Sequence, residues 1–319
     1  MCKMVKILDV ENLDKHFRVP GGVLKAVNHV SFSIYEGETL GIVGESGCGK
    51  TTCGRTCIGM YPKTAGSIKY RGEEVEILCK KNRARFAQKV QCVFQDPYSS
   101  LDPRMKVGNM LAEGIEEHHI ASSKKECNEM VEELLNKVGL RKEHMQRYAH
   151  EFSGGQRQRI GIARALSVNP EFIFCDEPIS ALDVSVQAQV MNLLMDLQEE
   201  KNLTYMFVSH DISMVRHISN RIAVFYLGKI VEIGEANEIY DYPAHPYTKV
   251  LLSALPLTDP GRAKEKQRIV MPGELPSAIN NLEGCVFKGR CPYATKACET
   301  FDGELKDVGN GHMVACCHI

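Results

Sequence analysis

Nowhere does the sequence hold a run of about 18 consecutive apolar residues, the length a membrane-crossing helix needs. Its first residues, Met1-Cys-Lys-Met-Val-Lys6, carry no apolar leader. A soluble, cytoplasmic chain is therefore expected, with any membrane crossing left to other polypeptides. Net charge is lacking too: 39 lysines and arginines against 40 aspartates and glutamates leave −1. Because the basic residues are spread along the chain, there is no electrostatic footprint for nucleic acid. What is present is material for one large or two modest domains, 319 residues of which 44% are hydrophobic, enough for a globular core throughout. The 13 cysteines imply no disulfides in an unexported chain, whose thiols stay reduced. Most read as small packing residues.

Gly44 to Thr51 read G-E-S-G-C-G-K-T. An apolar strand is predicted just before them, over Thr39 to Val43, and a helix just after, over Lys50 to Gly59. Glycines at such a strand-to-helix turn let successive backbone N–H groups point inward at phosphate oxygens, beside the positive end of the new helix. Lys50 would reach the β- and γ-phosphates and the Thr51 hydroxyl would hold Mg²⁺. Cys48, at a helix start beside Lys50, is expected to favour the thiolate and to be alkylated unless ATP protects it. Further along, Phe172-Ile-Phe-Cys-Asp-Glu177 is an apolar strand ending in two carboxylates. A buried charge needs a partner, and magnesium supplies one to Asp176, while Glu177 would orient or deprotonate a water.

A third segment, Phe152-Ser-Gly-Gly-Gln-Arg-Gln-Arg159, opens a helix predicted over Gln156 to Ser167 and offers a second anion cradle. One nucleotide needs only one. Gln95 follows a predicted strand over Lys89 to Phe94, Ser180-Ala-Leu-Asp183 forms a loop, and His210 follows a predicted strand over Tyr205 to Ser209. In kind and order these motifs resemble the ATP-binding subunits of ATP-binding-cassette (ABC) transporters over the first ~230 residues.

The resemblance implies an α/β phosphate-loop fold. It would have a mixed core sheet, an antiparallel N-terminal β-subdomain, a helical signature subdomain at about 98–165 and a small cysteine-containing C-terminal extension. The ATPase domain would span 1–234 and the extension 235–319. Phe17 matches the aromatic that stacks on adenine, with a core phenylalanine as the alternative. Gly44, Glu45, Ser46, Gly47, Cys48, Gly49, Lys50, Thr51 and Thr52 would bind nucleotide, and Thr51, Gln95 and Asp176 would hold Mg²⁺. Glu177, His210 and Gln95 would be catalytic. Ser153, Gly154 and Gly155 would complete the ATP site of a second, head-to-tail copy, with Gln156 and Asp183 among the nucleotide contacts.

Local patterns fill in the rest. Strands are predicted within 5–40, where Val30-Ser-Phe-Ser-Ile34 alternates apolar and polar. Ser123 with Glu126 has capping-box spacing, Met130, Val131, Leu134, Leu135 and Val138 share one helical face, and Gly139 ends it. Ile222 to Leu227, Gly228-Lys229 and Ile230 to Ile233 read as a hairpin. Arg157, Arg159 and Arg164 are expected to be solvated or salt-bridged.

Past Gly234 the segment from His245 to Pro256 predicts a helix of one to three turns, then a linker punctuated by Pro256, Pro260, Pro272 and Pro276. Cys285, Cys291, Cys298 and one of Cys316 or Cys317 then offer four thiols in a segment with little apolar content, the composition of a metal staple standing in for a core. This tail resembles the C-terminal region of oligopeptide/dipeptide importers, and Asp176-Glu-Pro-Ile-Ser-Ala-Leu-Asp-Val-Ser-Val-Gln-Ala-Gln189 places the chain nearer the second of their paired ATPases. The resemblance implies an ATPase, working at the cytoplasmic face of the membrane, that powers peptide import. Its partners would be a second ATPase subunit, two permease subunits and, indirectly, an external binding protein. Related subunits carry a 4Fe–4S cluster here, with Cys316 fitting the fourth ligand position and Cys317 spare. Four-thiolate zinc and uncoordinated cysteines stay open as alternatives. Import of nickel or another small solute is the alternative cargo. A soluble ABC-type ATPase acting on nucleic acid is disfavoured by the absence of a second cassette or a long inserted coiled coil.

Overall fold

The computed structural model describes residues 5–255, 271, 276–279 and 283–319; the start at Met1 to Met4 and the prolines Pro256, Pro260 and Pro272 lie outside them. Along the chain come β1 (Lys6–Val19), β2 (Gly22–Tyr35), β3 (Thr39–Val43), α1 (Lys50–Cys57), β4 (Ala65–Tyr70), β5 (Glu73–Glu74), α2 (Val75–Lys81), α3 (Arg83–Lys89) and β6 (Val90–Val93). Then follow α4 (Pro97–Ser100), α5 (Val107–Glu117), α6 (Lys124–Lys137), α7 (Gly154–Leu166), β7 (Phe172–Asp176), α8 (Val184–Lys201), β8 (Thr204–Ser209), α9 (Ile212–Ile218) and β9 (Arg221–Tyr226). The chain closes with β10 (Lys229–Glu235), α10 (Ala236–Asp241), α11 (Pro246–Ser253), β11 (Lys306–Asp307) and β12 (Met313–Val314). No helix among the described residues is long and apolar enough to cross a membrane.

Two compact units result. One holds Val75–Met206 with Tyr35–Glu38 and the N-terminal residues to Ile7; the other holds Leu8–Ile34, Thr39–Glu74 and Phe207–Ile319. In the first, β6 and β7 pair in parallel, Val90 opposite Phe172, and every residue of β7 is buried. A strand covered on both faces reads as an unbroken apolar run, as Phe172-Ile-Phe-Cys does. The helices α5, α6 and α7 of the same unit pack on one another. Ser123 caps α6, its hydroxyl accepting from the Glu126 amide, while Glu126 reaches the Ser122 amide, one residue earlier than capping-box spacing predicts. Val131, Leu134, Leu135 and Val138 are buried on this helix as expected, joined by Cys127.

In the second unit the strand order β11-β12-β10-β9-β3 makes a mixed sheet, β3 parallel to β9 and β9 antiparallel to β10. The hairpin turn falls at Leu227 and Gly228, both at positive φ. A smaller sheet runs β2-β1-β4-β5, with β1 antiparallel to β4. On β2, Val30, Phe32 and Ile34 are buried while Ser31 is exposed, the alternation the sequence predicts.

Candidate functional site

The turn after β3 builds the phosphate loop in the second unit. Gly49 caps α1 in the left-handed region at φ 109°, and a Cβ there would lie 2.0 Å from the Ala26 carbonyl oxygen, so only glycine fits. Lys50, 4% exposed, donates from Nζ to the carbonyls of Gly44 at 2.8 Å and Glu45 at 2.9 Å. An ammonium therefore stands inside the loop. Cys48 departs from expectation: it is buried, and burial pushes its thiol up despite the nearby Lys50 charge.

Glu45 is held from outside the loop. Its N–H donates to the Tyr247 hydroxyl at 2.9 Å and its Oε2 accepts from Arg290 Nη1 at 2.8 Å. The Glu45 carboxylate holds the Arg290 guanidinium above its ordinary range. Tyr247 lies on α11, whose start is fixed by Glu232. That fully buried carboxylate accepts from the amides of Ala244 at 2.7 Å and His245 at 3.1 Å, from the Thr248 hydroxyl, and pairs with His312 Nε2 at 2.7 Å. None of these partners of Glu45 was singled out in the sequence. Phe17, also in this unit, packs edge-on against Tyr61 with ring centroids 6.1 Å apart, and Lys15 Nζ stands 4.6 Å from its ring centre. His210 is exposed, just past the buried Ser209 and beside Asp211, which caps α9.

The first unit carries the carboxylates. Asp176 ends β7 with no exposure. Glu177 follows in the left-handed region at φ 47°, a conformation that costs energy for a side chain with a Cβ and recurs at functional sites. Gln95 Nε2 donates to its Oε2 at 3.0 Å. These two residues, each singled out in the sequence, are thus hydrogen-bonded to one another.

Ser153 opens α7 by a reciprocal cap: its Oγ accepts from the Gln156 amide at 3.4 Å while Gln156 Oε1 accepts from the Ser153 amide at 3.1 Å. Ser153 and Gly154 are exposed. At Gly155 a Cβ would meet Val186 at 2.4 Å. Asp183 caps α8 through the Val186 amide at 3.0 Å and accepts from the Ser185 hydroxyl at 2.7 Å, a bond that holds its carboxyl below the usual range. The arginines of α7 are neither simply solvated nor salt-bridged. Arg157 Nε donates to the Ala149 carbonyl at 2.9 Å, Arg159 Nη1 to the Val138 carbonyl at 2.9 Å, and Arg164 Nη1 to the Ser100 carbonyl, so two of the guanidinium groups serve carbonyls at the ends of α6 and α4.

In the cysteine segment Cys298, Cys317 and His318 bring ligand atoms within 4.8 Å of one another, with Cys298 Sγ 3.4 Å from Cys317 Sγ and 3.6 Å from His318 Nε2. Cys285 donates its amide to the Cys298 carbonyl at 2.7 Å, and burial first, then neighbouring Cys298, Cys291 and Cys316, raises its thiol. Cys317 and His318 therefore stand beside Cys298, while Cys316, buried, neighbours Cys285 and Cys291.

Residues 27–180 match the family model described as ABC transporter, and residues 231–298 match the one described as oligopeptide/dipeptide transporter, C-terminal region. A putative oligopeptide transport ATP-binding protein of Bacillus subtilis, YkfD, is 52% identical over 98% of this chain and 96% of its own length. The chain belongs to the ABC transporter ATP-binding proteins, in the oligopeptide group. Two further members from the same organism are close: AppF at 51% identity over 97% of this chain and 96% of its own, and OppF at 57% over 82% and 87%, both called oligopeptide transport ATP-binding proteins. Among solved structures, the dimeric post-hydrolysis state of the ATP-binding cassette MJ0796 bound to ADP and Pi superposes with a TM-score of 0.65 at 27% identity, covering 72% of this chain and 98% of that one. As an ABC protein the chain is an ATPase, and its mixed sheet, antiparallel sheet and helices are those of the cassette.

Proposed function

We propose that this ABC ATPase powers the uptake of peptides. The observation that carries the reading is a phosphate-loop cassette continuous with a C-terminal region of the oligopeptide/dipeptide type at residues 231–298. The names of the B. subtilis relatives support it. In this reading the chain sits at the cytoplasmic face of the membrane on two permease subunits, paired with a second, related ATPase subunit, and receives its cargo through them from an external binding protein. Nickel or another small solute is the alternative cargo.

Lys50 and the loop amides grip the triphosphate, and Phe17 faces the adenine. Thr51, Gln95 and Asp176 offer the hydroxyl, amide and carboxylate oxygens that Mg²⁺ takes. The ion, when bound, spreads the charge of the phosphates. Glu177, held by Gln95, takes the proton of the attacking water, and His210 steadies the γ-phosphate. Ser153, Gly154 and Gly155, with Gln156 and Asp183, address the nucleotide of the partner ATPase, so hydrolysis removes the bridge between the two and the membrane subunits follow.

Replacing Glu177 by Gln should lower kcat by about 10²–10⁴ while Mg-ATP still binds; undiminished turnover would remove it as the base. Vesicles carrying the chain with its permease partners should accumulate a labelled peptide on addition of ATP. Uptake of nickel without peptide would favour the alternative cargo.

For the extension we infer a thiophilic centre, since soft thiolates in this number suit iron–sulfur or zinc. The family resemblance supports a 4Fe–4S cluster on Cys285, Cys291, Cys298 and Cys316. The approach of Cys317 and His318 to Cys298 favours a second reading, a single zinc ion. Anaerobically purified protein that is brown and contains acid-labile sulfide supports the first; colourless protein with stoichiometric zinc supports the second.

A further inference from the structure

The phosphate loop must keep several N–H groups aimed inward, yet three of its residues are glycines, which lose more freedom on ordering than any other residue. Its second residue is tied down at both ends. The Glu45 amide is taken by the Tyr247 hydroxyl at 2.9 Å, so this N–H is a tether and not one of the donors left for phosphate. The Glu45 carboxylate is neutralised by Arg290, whose Nη1 lies 2.8 Å from Oε2 and 3.5 Å from the Tyr226 hydroxyl.

Arg290 is 8% exposed and its Nε has no partner, so Glu45 is its principal compensation. Behind it Phe287, 1% exposed, sits among Tyr226, Tyr247 and His245 with ring centroids 5.2, 5.5 and 5.7 Å away. Phe287 and Arg290 both lie between Cys285 and Cys291 in the sequence. The cysteine-bearing extension therefore reaches the nucleotide loop through one aromatic wedge and one ion pair.

We propose that Arg290 and Tyr247 are positioning residues for ATP, acting through Glu45 to hold the phosphate loop in its binding shape and to cancel the one loop carboxylate that would repel a triphosphate. The proposal rests on the reading of Gly44 to Thr51 as the nucleotide site. It makes a signed prediction that a merely structural role does not: the harm of losing Arg290 comes from the carboxylate it leaves behind.

The experiment measures Mg-ATP binding to the full-length chain, well below its melting temperature, for the wild type and for Arg290→Gln, Tyr247→Phe, Glu45→Gln and the double variant Glu45→Gln/Arg290→Gln. Arg290→Gln should raise Kd about tenfold, an effect that shrinks as salt screens the exposed charge. Adding Glu45→Gln should bring Kd back to within about threefold of wild type, the mark of two coupled sites. Tyr247→Phe, which removes one oxygen and keeps the ring packing, should raise Kd about threefold by leaving the Glu45 amide unpaired, with kcat at saturating ATP unchanged. Unaltered Kd in both Arg290→Gln and Tyr247→Phe, or losses in the double variant that simply add, would overturn the brace while leaving the nucleotide site intact. A wild-type chain that binds no Mg-ATP would overturn both.

Discussion

Gly49 and Gly154 each begin a helix whose first N–H groups suit an anion, but the surroundings of the two helix starts differ. The loop before α1 is secured by its own polypeptide: Lys50 bonds loop carbonyls, and Glu45 is pinned by residues 202 and 245 positions away. The turn before α7 relies on local means, a serine and a glutamine capping each other, and leaves Ser153 and Gly154 exposed. On the proposed function, the loop that carries most of the nucleotide's contacts is preorganised from several sides. The helix start that would meet a partner's nucleotide needs only a rigid helix behind it, to which the close approach of α7 to Val186 at Gly155 contributes.

Substitutions that hit one helix start and not the other test this contrast. The largest effect is expected at Gly49→Ala, where the added methyl meets a backbone carbonyl in a conformation unfavourable to alanine. A loss of about 3 kcal/mol or more in unfolding free energy, together with loss of Mg-ATP binding, should be seen by denaturant melts and equilibrium dialysis.

Ser153→Ala should remove about 1 kcal/mol as an N-cap loss and leave Mg-ATP affinity of the isolated chain unchanged. Its signature should be weaker ATP-dependent pairing by size-exclusion chromatography. Equal damage to binding by a single chain would erase the contrast between the two helix starts.

A smaller effect concerns the foundation of the loop brace. The Glu232 bond holds His312 above its ordinary 6.5, with Glu238 and Asp307 adding to it. The stabilisation is therefore complete below about 6.5 and fades as pH rises through the raised value. His245 behaves oppositely: burial lowers it to about 4, so its contribution is lost as pH falls from 6.5 toward that value. The melting temperature should pass through a maximum near the ordinary histidine range, and His312→Ala should flatten the alkaline limb by about 2–4 °C. The smallest effect is expected at Cys48: maleimide should label it far more slowly than in urea-unfolded protein, equally with and without Mg-ATP, because burial and not nucleotide protects it.

What could be read from the sequence was what is written locally. The strand at Thr39–Val43 is matched residue for residue, since a continuous apolar run stopped by glycine has few other meanings, and Ser123 and Ser153 cap helices within a few residues of where spacing puts them. The hairpin after Tyr226 announced itself by Gly228-Lys229 between two apolar runs. What escaped was long-range. Nothing near Tyr247 or Arg290 hints at Glu45, although an arginine and a phenylalanine fixed between two cysteines of a nearly coreless segment were a signal that the segment docks on something. That Cys317 and not Cys316 stands beside Cys298 was likewise illegible, because adjacent residues leave a strand end in different directions and the pairing of β12 with β10 at Val314 opposite Glu232 sets the phase.

That pairing carries one more consequence. By adding β12 and then β11 beyond β10, residues 306–314 cover the open margin of the larger sheet with a short fringe, and short fringes are poor templates for a stranger's strand. A clip that removed residues after Lys306 would uncover the outer amides and carbonyls of β10 around Glu232 and Ile233. Such a trimmed molecule should self-associate edge to edge.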